Sequence, residues 1–264
     1  MSNYKYLTPQ LLLKAICNAI RAKTGSNNKI IHQNIPDELD SIITEEEYNI
    51  EIQRFIDIIE GTSFINDRIT TVKGGLFSGC TNLTTIDLPK CTSIESNAFS
   101  GCTNLTTIDL PKCTSIESNA FSDCTSLTTI DLPECTSIDY SAFYNCTSLT
   151  TINLPECTSI GNNAFRGCTN LTTVNLPECT YIDSYAFRGC TNLTTMILSN
   201  NQVVTLEANF SFSNSPIANG TGYIYVPDNL VDSYKTANDW SSYANQIKPL
   251  SELPSNLKEE YGYD

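Results

Sequence analysis

Between Phe64 and Leu206 apolar residues return on a fixed schedule rather than in isolated patches. In the stretch Leu83-Thr-Thr-Ile86-Asp-Leu88-Pro-Lys-Cys91-Thr-Ser-Ile94, polar and apolar residues alternate from Thr85 to Leu88. A period of two turns Ile86 and Leu88 to one side and Thr85 and Asp87 to the other, which predicts a short strand with one buried face. Pro89 ends it, because proline has no N–H to donate to the next rung. Ile94, Ala98, Phe99 and Cys102 then bring apolar groups back along a returning segment.

The whole motif recurs every twenty-two residues. The block Cys80 to Gly101 reappears from Cys102 to Asp123 with one change, at its last residue. Leu83, Leu105, Leu127, Leu149, Leu171 and Leu193 hold one position of the repeat; Phe77, Phe99, Phe121, Phe143, Phe165 and Phe187 hold another. Such a period marks a solenoid, in which each unit buries its apolar side only against its neighbours. The expected fold is an α/β repeat solenoid of 22-residue coils, with short parallel strands on one face. The pattern frays at both ends. Gly61 and Asn66 stand where core leucines would, and Asn201 falls at the position of a repeat cysteine.

The flanks read differently. Thr8-Pro9 is a helix start, followed by an apolar stripe of Leu12, Ile16, Ala19 and Ile20. Thr44 and Glu47 form a capping box before a second stripe of Tyr48, Ile52, Phe55, Ile56 and Ile59. Residues 1–60 are therefore expected to be a helical N-terminal cap or attachment region, 61–206 the solenoid, and 207–264 a mixed C-terminal cap. In that last segment Tyr223, Tyr225, Leu230, Val231, Tyr234 and Trp240 offer apolar area to cover the final coil.

Cysteine usage refines the core. Eleven of the twelve cysteines, Cys80 to Cys190, are spaced eleven apart. Like thiols then recur at the strand spacing of about 4.8 Å, more than the roughly 3.8 Å between bridged Cβ atoms. They read as unpaired, buried small hydrophobes. No Cys-x-x-Cys exists, and the single histidine, His32, lies outside the repeats, so no metal or cofactor is expected. Without a nucleophile elbow or paired carboxylates around His32, a hydrolase has no machinery either.

A formal charge of −14 and a pI near 4.4 exclude nucleic acid as a natural partner, since phosphate binding needs basic surface. No apolar run is long enough to insert into a membrane, and the N-terminus lacks the layout of a secretory signal. The chain is thus expected to be made in the cytoplasm and to act on a particle, at a cell surface or after release.

The unit L-T-T-I-D-L-P-x-C-T-S-I-x-x-x-A-F-x-x-C resembles the BspA-like leucine-rich repeats of bacteria and some protists, and its first half follows L-x-x-L-x-L-x-x-N/C. The stretch Gly222 to Lys235, with Trp240 and Gln246 to Leu253, looks like the closing segment that follows such repeats in Firmicutes and their prophages. Ala19 to Gly25, with Ile35 to Leu39, is similar to a module of phage tail and baseplate proteins. The resemblance implies a non-enzymatic binding or adhesion protein of a phage or prophage tail, gripping a protein or a cell-surface glycan. A bacterial surface adhesin is the alternative. Residues 1–60 would then contact the particle or other copies of the chain.

Two candidate binding surfaces follow. By analogy with leucine-rich repeats, one is the strand face. Its outward columns are Thr85, Thr107, Thr129, Thr151 and Thr173, beside Asp87, Asp109, Asp131, Asn153 and Asn175. One carboxylate per strand is too few for calcium, and the aspartate column breaks the paired threonine array that ice-binding surfaces need. The other candidate is the returning flank, where variation concentrates. The residue after each Phe runs Ser78, Ser100, Ser122, Tyr144, Arg166, Arg188, while Tyr140, Tyr181 and Tyr185 replace small polar residues nearby. Tyrosine and arginine dominate binding hot spots. Two stacked arginines with no acid in their own column suit a carboxylate or a sialic-acid-like group.

Overall fold

The computed structural model describes residues 63–65, 67 and 69–263. The helices and the attachment role expected for 1–60 lie outside the described residues, as does His32. What is described is a solenoid of stacked coils carrying two parallel ladders.

The first ladder is built from three-residue strands: β1 (Ser63–Ile65), β3 (Thr85–Asp87), β5 (Thr107–Asp109), β7 (Thr129–Asp131), β9 (Thr151–Asn153), β11 (Thr173–Asn175) and β13 (Thr195–Ile197). Residues pair across coils at the repeat offset, as in Thr85 with Thr107 and Asp87 with Asp109. The ladder is in two pieces, β1-β3-β5-β7 and β9-β11-β13-β15-β16, with no strand pairing between β7 and β9. Strands β15 (Tyr223–Val226) and β16 (Ile247–Pro249) extend the second piece past the repeats.

The second ladder is a finding that the alternation pattern did not contain. Its strands are only two residues long: β2 (Thr71–Val72), β4 (Ser93–Ile94), β6 (Ser115–Ile116), β8 (Ser137–Ile138), β10 (Ser159–Ile160), β12 (Tyr181–Ile182) and β14 (Thr205–Leu206). These seven run unbroken from β2 to β14. Threonines reinforce the stack: Thr106 Oγ1 donates to the Thr84 carbonyl at 2.9 Å and Thr114 Oγ1 to that of Thr92 at 3.1 Å.

The interior is a set of columns. Every repeat leucine and phenylalanine in them is buried. Consecutive rings from Phe77 to Phe187 stack nearly parallel, with centroids 5.0 to 5.5 Å apart. The eleven described cysteines are free thiols, all buried except Cys80, which is half-buried. Each column has a job beyond filling space. Cys102, Cys124, Cys146, Cys168 and Cys190 point Sγ–H at the carbonyls of Phe77, Phe99, Phe121, Phe143 and Phe165, at 3.0 to 3.2 Å. Cys91, Cys113, Cys135 and Cys157 do the same for the carbonyl two residues on. A thiol thus supplies apolar volume and a weak donor where the chain turns inside the core.

Each return turns on residues with positive φ: one row is Asn97, Asn119, Ser141, Asn163 and Tyr185, the other Gly101, Asp123, Asn145, Gly167 and Gly189. Gly, Asn and Asp reach this left-handed conformation at small cost. Tyr185, at φ 60°, does so against its preference.

The repeat loses its register after Ile197. Tyr181 pairs with Thr205 and Ile182 with Leu206, an offset of 24, so the loop holds two extra residues. Asn201, expected at a cysteine position, is consequently exposed, and Val203 and Val204 pack toward the core in its place. The phenylalanine spine continues through Phe212, 5.8 Å from Phe187. It ends against Trp240 and the edge-on ring of Tyr243. Trp240 Nε1 donates to the Val204 carbonyl at 2.6 Å, and Tyr234 Oη accepts from the Val204 amide at 3.0 Å. Tyr234, in α1 (Val231–Thr236), and Trp240 are buried beside the last coil. Tyr223 and Tyr225 sit on β15 and prolong the outward face of the strand ladder.

Candidate functional site

The outward column of the first ladder reads Asp87, Asp109 and Asp131, then Asn153, Asn175, Ile197 and Tyr225. Its chemistry changes along the stack from acid to amide to apolar. The reason is the C-terminal tail. Leu253 buries against Ile197 and Tyr225, and Leu250, Leu257, Tyr261 and Tyr263 pack beside them, carried partly by α2 (Ser255–Tyr261). Tyr263 Oη lies 2.8 Å from Asn175 Oδ1 and 2.9 Å from Ser199 Oγ, while Asn175 Nδ2 donates to Asn153 Oδ1 at 2.9 Å.

This strap corrects part of the strand-face expectation. Thr173 and Asn175 point outward but are 8% and 4% exposed, and Tyr263 of the tail reaches Asn175. Thr107, Asp109, Thr129, Asp131 and Asn153 remain exposed, and Thr85, Asp87 and Thr151 are half-buried. Among the described residues, no group of three His, Cys, Asp or Glu side chains could hold a metal ion.

The returning flank is assembled differently. The Arg166 guanidinium lies 5.7 Å from the centroid of the Tyr144 ring, one coil earlier, and its Nη1 donates to Asn163 Oδ1 at 3.3 Å. The Arg188 guanidinium lies 5.4 Å from the Tyr185 ring in its own coil. Tyr185 in turn stacks on Phe210 at 6.0 Å, and Phe210 is 54% exposed. Five of these side chains thus form one strip across four coils: Tyr144, Arg166, Arg188, Tyr185, Phe210. Among the described residues neither arginine meets a carboxylate; the ion pairs there are Lys73–Glu95, Lys112–Glu134 and Lys248–Glu252.

The other two predicted flank residues stand apart from that contact set. Tyr140 is exposed, and its backbone amide bonds its neighbour Asp139. Tyr181 lies on the second ladder, where its hydroxyl donates to Glu207 at 3.2 Å. Phe210 was missed by sequence reasoning because the enlarged coil displaces it from the repeat position. An aromatic within the segment Ala208 to Phe212 was the available signal.

A profile described as BspA type Leucine rich repeat region, in six copies, matches residues 48–172 and 114–232. The chain belongs to the BspA-type leucine-rich repeat family. Its coils resemble those of a T. pallidum leucine-rich repeat protein, at 26% identity and a TM-score of 0.55, covering 67% of this chain and 83% of that one. A leucine-rich repeat protein from Eubacterium ventriosum is similar at 25% identity and a TM-score of 0.48, over 60% of this chain but only 44% of its own. A leucine rich cell surface protein from Faecalibacterium prausnitzii aligns at 24% identity and a TM-score of 0.41, with 62% and 60% covered. No curated protein matches the sequence. Among the described residues, no helix is long and apolar enough to cross a membrane.

Proposed function

We propose that this BspA-type solenoid is a non-enzymatic binding module whose recognition surface is the Tyr–Arg strip on the returning flank. The observation that carries the reading is two guanidinium groups, each laid on a tyrosine ring and, among the described residues, unpaired with acid, in a chain of formal charge −14. Tyr185 adds support, because it fills a left-handed turn position that the preceding coils give to Asn or Ser, and strained residues of this kind concentrate at sites of function. The strand face takes the secondary part, over the open columns from Thr85 to Asn153.

The partner is a protein or a cell-surface glycan. The location we favour is a phage or prophage tail, on the likeness of Ala19–Gly25 and Ile35–Leu39 to tail modules; a cell-surface adhesin is the second reading, supported by the repeat family. Immunogold labelling of induced phage particles separates the two. The strip itself is tested by Arg166→Ala with Arg188→Ala in binding to whole host cells. Loss of binding is expected, and unchanged binding refutes the strip.

A further inference from the structure

We infer that the strip binds a carboxylate-bearing saccharide, a uronic- or sialic-type acid, with the two arginines on the acid and Phe210 under a sugar ring. This rests on the strip being the recognition surface, and it names the ligand class.

Three features select that class. The first is charge geometry. A guanidinium presents paired donors that match the two oxygens of a carboxylate, and Arg166 and Arg188 hold the same place in successive coils, their backbones about one strand spacing, roughly 4.8 Å, apart. The rings of Tyr144 and Tyr185 restrain both side chains beforehand, which reduces what binding must order.

The second feature is the exposed aromatic. A guanidinium lies over one face of each of Tyr144 and Tyr185, and Phe210 stacks on Tyr185 while staying 54% exposed. It has no hydrogen-bonding atom on its side chain to offer. An apolar platform next to an anion site fits a pyranose, which has a C–H face as well as an acid.

The third feature is size and the state of the backbone. The strip spans three coil rises, about 15 Å, the length of a short oligosaccharide. A protein interface needs about 800 Å² on each side. An extended acidic peptide would look for free backbone groups, and here they are used. The amides of Asn145, Phe165, Gly167, Phe187 and Gly189 each donate to a carbonyl of the following coil, at 2.8 to 2.9 Å. No strand can be added along this edge.

The test is calorimetric titration of the full chain with tetragalacturonate and with 3′-sialyllactose. Each is run beside its uncharged counterpart, methyl-esterified tetragalacturonate or lactose, and an Asp/Glu hexapeptide completes the series. An acidic sugar should bind at least about tenfold more tightly than its neutral partner. R166Q with R188Q should weaken it by about tenfold or more, at an unchanged melting temperature. R166K with R188K should also weaken it, because lysine keeps the charge and loses the fork. Phe210→Ser should weaken acidic and neutral sugars alike. Which of the two acids binds decides between the uronic and sialic sources. Equal binding of the neutral counterparts, indifference to R166Q with R188Q, or no sugar binding at all overturns the inference. Binding of the hexapeptide in place of the sugars sinks the saccharide while leaving the strip as the recognition surface.

Discussion

In the coils up to Asp131 the strand face carries a column of aspartates open to solvent, and the flank shows Ser78, Ser100 and Ser122. In the coils beyond, the same strand column becomes Asn153, still exposed, and then Asn175, Ile197 and Tyr225 beneath a strap, and the same flank column becomes Tyr144, Arg166 and Arg188. The interior does not register this change. Leucine, phenylalanine and cysteine columns run through both halves with the same burial. One half of the solenoid is thus plain on its flank and free on its strand face, and the other is covered on its strand face and chemically furnished on its flank. A repeat protein can diverge in this way because each coil needs only its neighbours for stability, leaving surface positions to vary independently.

The largest effect that bears on this contrast is alkaline unfolding, which should not respect it. Burial pushes Cys113, Cys124, Cys168 and Cys179 from the ordinary 9.0 up to about 12, and Cys135 to about 11. With the folded values above the unfolded ones, stability is complete below about pH 9 and falls as pH climbs through that value, by up to about 1.4 kcal/mol per thiol per pH unit. Urea melts between pH 7 and 10.5 should show one steep loss shared by both halves. Two separate transitions would break the claim of a common core.

Truncating the spine comes next. Phe99→Ala and Phe165→Ala should each cost about 3–5 kcal/mol in chemical denaturation. Values differing by more than about 1 kcal/mol would mean that the halves are packed differently inside.

The cores were legible in the sequence because period and burial are one signal: a leucine every twenty-two residues has only one place to go. The thiols were legible for the same reason. The second ladder was not, since two residues such as Ser93–Ile94 are too few to show alternation. Nor was the strap. Leu250 to Tyr263 carries no period, although Ile197 and Tyr225, apolar residues in an outward column, announced that something lies over them. The strip was half legible: Arg166 and Arg188 stood out against serines, while Phe210 was hidden by three extra residues upstream, 25 rather than 22 past Tyr185.

The strap gives the sharpest discriminating pair. Asn175→Asp would set a carboxylate among Asn153, Tyr263 and the tail, and should cost about 1–3 kcal/mol. Asp109→Asn, in the same column of the open half, should change stability by no more than about 0.5 kcal/mol. Equal costs would show that covering, not position, is unimportant. Smaller still, Tyr263→Phe removes the hydroxyl contacts to Asn175 and Ser199 and should cost about 1 kcal/mol, with faster amide exchange confined to β11 and β13.

The interruption between β7 and β9 has a mechanical meaning. One wall of the rod pairs strands along its whole length, while in the other the step from β7 to β9 is held by the Thr150 amide and hydroxyl on the Thr128 carbonyl in place of a strand pair, so compliance should be greatest there, like a score line in card. Flexing there would swing the furnished flank against the acidic end without disturbing either. Paired spin labels at Thr107 and Thr151 should report a broader distance distribution than labels at Thr151 and Thr195, which span the same number of coils within one unbroken piece.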